Sequence, residues 1–205
     1  NADGTKAFQW TGGFKIINIP DGSTYRSGAN APSGLSNKEV RWHPTNADQY
    51  FYPSGSSLLR RNMAANTSDT IHTFAATLAA QGNSVNYCDR TGRYFVVTYS
   101  SLSHVYDATL DVVYSGDIPL FGSGRWVGMS PDGNYVVRLP ASGNQAYAHL
   151  LTHGTQSVDA TGYLFWDLSG SSYGTGSDHA SIVCPDNNVN YLFTTLWGGG
   201  QQRWV

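Results

Sequence analysis

The sequence has 205 residues, of which only 13% are charged, and 12 Lys and Arg against 14 Asp and Glu give a formal net charge of -2. A nucleic-acid-binding domain normally carries a basic surface, and a membrane-surface protein carries a basic amphipathic helix, so this composition speaks against both classes. Glu39 is the only glutamate, and Lys6, Lys15 and Lys38 are the only lysines. Because these two residue types usually populate exposed helix faces, their scarcity favours an all-β chain.

One local pattern recurs five times: a turn pair rich in Asp, Asn or Gly is followed by an aromatic or β-branched run. The second residues of these pairs stand at positions 4, 48, 92, 133 and 188, so the successive spacings are 44, 44, 41 and 55 residues. A period of about 40 to 45 residues with four short strands is typical of a β-propeller blade. The turn pair then connects the innermost strand of each blade to the second strand.

The strands of each blade follow from these anchors in chain order. The second strands are predicted at residues 6–8, 50–52, 94–97, 135–137 and 191–193. The third strands are predicted at residues 14–18, 57–61, 103–107 and 163–167, and the clearest fourth strands at residues 69–74 and 110–114.

Residues 130–137, Ser-Pro-Asp-Gly-Asn-Tyr-Val-Val, carry the clearest family resemblance. They resemble the blade hairpin of the WD-like β-propeller superfamily, and the repeat extends this resemblance over nearly the whole chain. It implies an all-β propeller of four-stranded antiparallel blades, about four to five of them. The Gly-His pair of true WD repeats is missing, and Trp166-Asp167 is the only Trp-Asp pair. Propellers serve as lectins, scaffolds, lyases and hydrolases, so the resemblance implies a fold without an activity.

The repeat is incomplete at both ends, which leaves two architectures open. Asn1 lies inside the first hairpin turn, and the last repeat stops near residues 203–205. Either the C-terminal strands complete the N-terminal blade and close a small ring, or residues 1–205 are part of a larger propeller; 4 to 8 blades are typical. An open arc would expose strand edges to another chain, so we favour a single closed domain with partial blades at both termini.

The 55-residue spacing predicts an insertion in the fourth blade, at residues 141–155, between its second and third strands. In propeller geometry this insertion opens on the same rim as the loop to the next blade, at residues 169–179. Five polar side chains would then lie on that rim: His149, His153, Asp159, Asp178 and His179. Convergent His and Asp side chains are typical of metal or acid/base sites.

The spacing of the first two histidines weakens that interpretation. His149 and His153 would share a face of a helix, but in a strand they would lie about 13 Å apart, and the segment favours a hairpin. The sequence therefore predicts no catalytic residue, no metal and no cofactor. His149, His153, Asp178 and His179 remain the candidates if the chain is an enzyme.

Aromatic residues make up 13% of the chain, and most of them fall in predicted strands, where blades pack. Five others, Tyr25 among them, stand among Gly, Ser, Asn and Gln, and four of these are predicted to bind ligand: Tyr147, Tyr173, Trp197 and Trp204. Aromatic faces beside amide and carboxylate groups suit sugars, whose C–H faces stack on the ring while their hydroxyls form hydrogen bonds.

Cys88 and Cys184 are the only cysteines, and each stands just before a turn pair, two blades apart, at the place that His43 and Ser130 occupy in other blades. Equivalent positions two blades apart lie beyond the Cα separation of about 7 Å that a disulfide allows. Both are therefore predicted to be free, structural thiols.

These patterns together predict a non-enzymatic binding module for a glycan or protein ligand, in an extracellular or particle-surface setting, with no nucleic-acid or membrane partner. One alternative is a polysaccharide lyase or glycoside hydrolase that uses the rim His and Asp residues. A glycosidase would need paired carboxylates, which suits this Glu-poor chain less well than a His-based lyase. The other alternative is a structural fragment of a larger propeller, and the oligomeric state is left open.

Overall fold

Short antiparallel strands make up the secondary structure of the computed structural model. It describes residues 1–9, 14–27, 40–75, 78, 85–89, 91–99, 102–119, 127–138, 145–167, 174–183, 191–198 and 201–204. At residues 27, 85–87, 99, 119, 127–128, 146 and from 165 onwards the description covers the backbone only. The chain divides into two compact units, Asn1–Asn86 and Tyr87–Val205. Within the described ranges no helix is long and apolar enough to cross a membrane.

Two antiparallel sheets form the first unit. The first sheet has the order β1 (Lys6–Gln9), β2 (Lys15–Asn18) and β3 (Thr24–Ser27). The second has the order β4 (Arg41–Trp42), β5 (Gln49–Ser54), β6 (Ser57–Asn62) and β7 (Thr67–Thr73). These bounds agree with the second and third strands that the repeat predicts for this part of the chain.

Aromatic side chains from both sheets of the first unit pack into one core. The Phe8 ring stacks on Trp42 with centroids 3.8 Å apart, and Tyr50 meets both rings edge-on. Tyr50 and Ile16 are fully buried. Each buried aromatic side chain removes a large apolar area from water, which explains why the strands of this charge-poor chain are rich in aromatic residues.

Three further antiparallel sheets follow along the chain. The third sheet contains β8 (Val85–Cys88), β9 (Tyr94–Tyr99), β10 (Leu102–Asp107) and β11 (Val112–Val113), with β12 (Ile118–Pro119) also paired to β10. The fourth contains β13 (Val127–Met129), β14 (Tyr135–Arg138), β15 (Gln145–Thr152) and β16 (Ser157–Val158), with β17 (Tyr163–Asp167) also paired to β15. The fifth contains β18 (Gly174–Val183), β19 (Tyr191–Gly198) and β20 (Gln201–Trp204).

The turns that precede the second strands are built alike in the third and fourth sheets. The Tyr94 N–H donates to Asp89 Oδ1 at 2.8 Å, and the Tyr135 N–H donates to Ser130 Oγ at 2.8 Å. A short polar side chain that accepts N–H groups of the following turn stabilises a tight connection. The residue equivalent to Ser130 is therefore Asp89, and the placement of Cys88 at that repeat position is wrong by one residue.

A second repeat, in the turns after the third strands, corrects the predicted insertion. Three four-residue turns each end on a residue with positive φ: Asn66 at 57°, Asp111 at 55° and Gln156 at 51°. Successive members of this set are 45 residues apart. The third strand of the fourth sheet is therefore β15, because the turn that ends it keeps the 45-residue spacing of the turns that end the third strands of the second and third sheets. The prediction of an insertion at residues 141–155 and of a third strand at residues 163–167 is wrong, since β17 is an outer strand and the extra length lies after Gln156.

Candidate functional site

His149 lies in the middle of β15 and is fully buried. Its Nδ1–H donates to the backbone carbonyl oxygen of Asp159 at 2.8 Å. A carbonyl oxygen only accepts, so the proton of the neutral imidazole is on Nδ1. Nε2 is buried, and the described part of the chain offers it no hydrogen-bond partner. Burial lowers the pKa of His149, because desolvation disfavours the charged imidazolium.

His153 begins the turn after β15 and contacts a different set of residues. The Tyr114 hydroxyl donates to Nδ1 at 2.8 Å, and Nε2–H donates to Asn134 Oδ1 at 3.2 Å. Burial raises the pKa of Tyr114, so its hydroxyl stays protonated and is the donor. The imidazole also stacks on Tyr94 with centroids 4.5 Å apart. Both ring nitrogens therefore serve internal packing, and His153 shares no hydrogen-bond partner with His149.

Asp159 follows β16 and has an exposed side chain. Its Oδ1 accepts the N–H of Thr161 at 3.0 Å, and its own N–H donates to the Leu150 carbonyl at 2.9 Å. Of the five side chains predicted for one rim, the structure brings His149 and Asp159 together, through the backbone carbonyl of Asp159.

The remaining rim candidates lie in a strand. Asp178 and His179 belong to β18, in the stretch where its register against β19 shifts, and their side chains are outside the described residues. The predicted rim loop at residues 169–179 is thus largely strand, because β18 begins at Gly174. The interpretation of the rim as two loops is wrong, and a shared site for Asp178 and His179 stays a prediction.

Among the predicted ligand-binding aromatics, Tyr147 has a described side chain. Its hydroxyl donates to Gln145 Oε1 at 2.9 Å, and the Arg138 guanidinium lies over its ring at 4.6 Å. Arg138 is only 4% exposed, and burial lowers its pKa. One face of the predicted sugar platform is therefore in contact with a buried cation of the same sheet.

The other three aromatics keep their status as predictions. Trp197 lies in β19 opposite Gln202, and Trp204 lies in β20 opposite Thr195. Their side chains, and the whole of Tyr173, lie outside the described residues.

Three large apolar side chains gather on one exposed face of the fourth sheet. Tyr135 pairs with Leu150, and Tyr163 pairs with Ala148, two residues before Leu150 in β15. Residues two apart in a strand share a face, so Tyr135, Leu150 and Tyr163 lie on the same side. They are 38%, 46% and 71% exposed.

Asp159 completes this surface. Its N–H donates to the Leu150 carbonyl, so Asp159 flanks Leu150 along one edge of β15 while Tyr135 flanks it along the other. We call Tyr135, Leu150, Asp159 and Tyr163 the tyrosine face. With neighbouring strands about 4.8 Å apart, the strands of its two tyrosines are about 10 Å apart. The face thus offers two phenol rings, an aliphatic side chain and a carboxylate to solvent.

The described residues contain no group of three or more His, Cys, Asp or Glu side chains placed to hold a metal ion. Cys88 ends β8 with an exposed side chain, and Cys184 lies outside the described residues. The assignment of both cysteines as free thiols stays a prediction.

No protein-family model and no curated protein matches the sequence. Solved structures do match. Hydrazine synthase from Kuenenia stuttgartiensis aligns with a TM-score of 0.59 and 13% identity, over 96% of this chain and 54% of that chain. The dihydro-heme d1 dehydrogenase NirN aligns with a TM-score of 0.54 and 10% identity, over 94% of this chain and 40% of that chain.

A luciferin-regenerating enzyme aligns with a TM-score of 0.55 and 8% identity, over 100% of this chain and 69% of that chain. All three have β-propeller-type folds. The likeness is one of fold. It agrees with an all-β chain of successive antiparallel sheets, and the chain spans 54% and 40% of the length of the first two structures.

Proposed function

We propose that this chain is a non-enzymatic binding module whose ligand is a carbohydrate, bound on the tyrosine face. The observation that carries the proposal is the exposure of Tyr163, Leu150 and Tyr135 on one side of a sheet. A monomeric protein normally keeps large apolar side chains scattered, and a contiguous exposed group marks a binding surface.

The chemistry of the tyrosine face favours a sugar over a purely apolar ligand. A phenol ring offers an apolar surface for the C–H groups of a pyranose, while its hydroxyl and the Asp159 carboxylate accept hydrogen bonds from sugar hydroxyls. Because the two rings stand on strands about 10 Å apart, an oligosaccharide can contact both. A glycan ligand suits the extracellular or particle-surface setting that we expect from the composition, and that setting is part of the proposal.

Replacing Tyr163 with alanine is expected to weaken glycan binding by about tenfold, since stacking on one ring contributes about 1 kcal/mol or slightly more. A glycan array with the purified protein identifies the ligand, and titration calorimetry then measures the affinity of both proteins.

The matched control is Leu110→Ala. Leu110 is 49% exposed but belongs to the turn after β10, so its truncation should leave the affinity unchanged. Equal affinity of the wild type and Tyr163→Ala would contradict the assignment of the face. Absence of binding to any glycan would contradict the ligand class, and cleavage of a bound polysaccharide would instead support an enzyme.

We also propose that the five sheets are blades of a propeller, about four to five in this chain. The 45-residue spacing of Asn66, Asp111 and Gln156 supports a regular blade repeat. Light scattering together with a thermal melt separates the two architectures left open by the sequence. A monomer with one cooperative transition supports a closed ring, and a larger assembly supports part of a larger propeller.

A further inference from the structure

The tyrosine face rests on a buried imidazole. Asp159 and Tyr163 flank a short connection between β16 and β17, and His149 meets this connection at two points. Its Nδ1–H holds the Asp159 carbonyl at 2.8 Å. Its ring lies so close to Gly162 that a Cβ there would stand 2.6 Å from His149 Cε1. One side chain therefore contacts both ends of the connection.

We infer that His149 is the positioning residue of the tyrosine face. While its imidazole is neutral, residues 159–163 are held in place and the face binds its ligand; when the imidazole is protonated, these residues become more mobile and the affinity for ligand falls. This inference rests on the proposed function for its ligand, but its effect on the backbone can be measured without one. His149 itself is fully buried, so it acts on a ligand at the surface through residues 159–163.

The surroundings of the imidazole oppose protonation. Protonation would add a charged N–H at Nε2. This atom is buried, and the described part of the chain offers it no hydrogen-bond acceptor. Burial is the largest cause of the lowered pKa of His149. Arg138 on β14 lowers it further, while the backbone bond to Asp159 and the Asp159 carboxylate raise it. The residue opposite on β14 is Val136.

Protonation should therefore release the connection. The titratable neighbour on the same face of β15 is Tyr147, two residues away. An imidazolium can reach water only by leaving its site, and both the Asp159 carbonyl and Gly162 then lose their contact. Because His149 has a lowered pKa when folded, the unfolded chain takes up the proton first as the pH falls below about 6.5. The stabilisation by neutral His149 is therefore present above that pH and is lost as the pH falls through the folded value.

The test is a pH series on the wild-type protein. Imidazole 15N spectra are expected to show the proton of neutral His149 on Nδ1, and to show that His149 becomes charged at a lower pH than an ordinary histidine. On further acidification, hydrogen exchange at residues 159–163, corrected for its intrinsic pH dependence, should accelerate as His149 becomes charged. Affinity for the glycan should fall over the same range, by about tenfold, which is ordinary for coupled sites.

Two variants sharpen the test. His149→Asn keeps a donor near the position of Nδ1 and cannot titrate, so its exchange and affinity should not depend on His149 protonation. His72→Asn removes an exposed histidine of β7 and should leave the wild-type pH profile in place. The turn at residues 63–66, which follows the third strand of the second sheet, is the internal reference for exchange, because its Ala65 N–H donates to the amide oxygen of Asn62 rather than to a carboxylate.

The outcomes separate the two proposals. If His149 becomes charged while exchange at residues 159–163 stays unchanged relative to the reference turn, the positioning role is overturned. If exchange responds as expected but no glycan binds at any pH, the positioning of the connection stands and the proposed function fails. If a glycan binds equally well before and after His149 is protonated, its link to binding is overturned. Should His149→Asn not fold, the wild-type series still decides.

Discussion

Replacing Asp107 with alanine is expected to lower the free energy of unfolding by about 3 kcal/mol, the low end of the range for breaking a buried ion pair. Asp107 is fully buried, and its carboxylate accepts hydrogen bonds from Arg93 Nε at 3.1 Å and from Nη2 at 2.8 Å. It also accepts the N–H groups of Thr109 and Leu110, in the turn after β10. The variant loses all these bonds at once, and urea denaturation at pH 7 measures the difference.

The low end applies because Arg93 stays partly hydrated. Its side chain is 37% exposed, so the cation left behind is solvated in part rather than trapped in an apolar site. The matched control is Asp69→Ala, which removes a 63% exposed carboxylate lying 3.9 Å from Arg60. An exposed pair of this kind contributes less than about 1 kcal/mol. Equal losses in the two variants would show that the buried network around Asp107 does not hold the hairpin.

The second strands could be predicted from sequence because each one follows a turn whose chemistry is local. Asp132-Gly133 illustrates this point: Gly133 has a φ of 73°, which favours glycine, and Tyr135 begins β14 two residues later. The aromatic or β-branched run that follows the turn then identifies the strand itself. Both signals are contained in a few neighbouring residues, so they survive without knowledge of the tertiary structure.

The third strand of the fourth sheet could not be predicted in the same way. Residues 145–152 read Gln-Ala-Tyr-Ala-His-Leu-Leu-Thr and contain few β-branched residues, so their β-propensity is weak. The turn that ends the strand has Gln156 at positive φ, where its counterparts are Asn66 and Asp111. A glutamine carries no turn signal of its own, and only the 45-residue register marks it once the structure is known.

The tyrosine face shows a further limit of sequence reasoning, since exposure depends on partners remote in the chain. Tyr94 and Tyr135 occupy the same place after their turn pairs, yet Tyr94 is 8% exposed and Tyr135 is 38% exposed. Tyr94 is covered in part by the ring of His153, which stacks on it from 59 residues away in sequence. Both tyrosines follow the same local pattern, so the sequence assigned both to the core. Asp159, which was predicted for the rim, has an exposed side chain and bonds through its N–H to Leu150 of the face.

Replacing Gly162 with alanine is expected to lower the free energy of unfolding by about 2 to 5 kcal/mol and to weaken ligand binding with it. Two costs combine at this residue. Its φ of 73° lies in the left-handed region, where a side chain costs about 1 to 2 kcal/mol. The added Cβ would also stand 2.6 Å from His149 Cε1 and 2.9 Å from Nδ1, and forcing a well-packed site apart costs about 1 to 3 kcal/mol.

Gly154→Ala is the matched control for this prediction, and denaturant melts of both variants at pH 7 provide the measurement. Gly154 lies in the turn after β15, and a Cβ there would have no heavy atom within 4 Å. Its φ is outside the left-handed region, so alanine should be neutral or stabilising by up to about 1 kcal/mol. Because the imidazole cannot move away from a Cβ at residue 162 without straining its bond to the Asp159 carbonyl, the Gly162 variant should also show faster hydrogen exchange at residues 159–163. A Gly162 variant as stable as the Gly154 variant, with unchanged exchange, would mean that the connection yields without cost and that His149 does not fix its position.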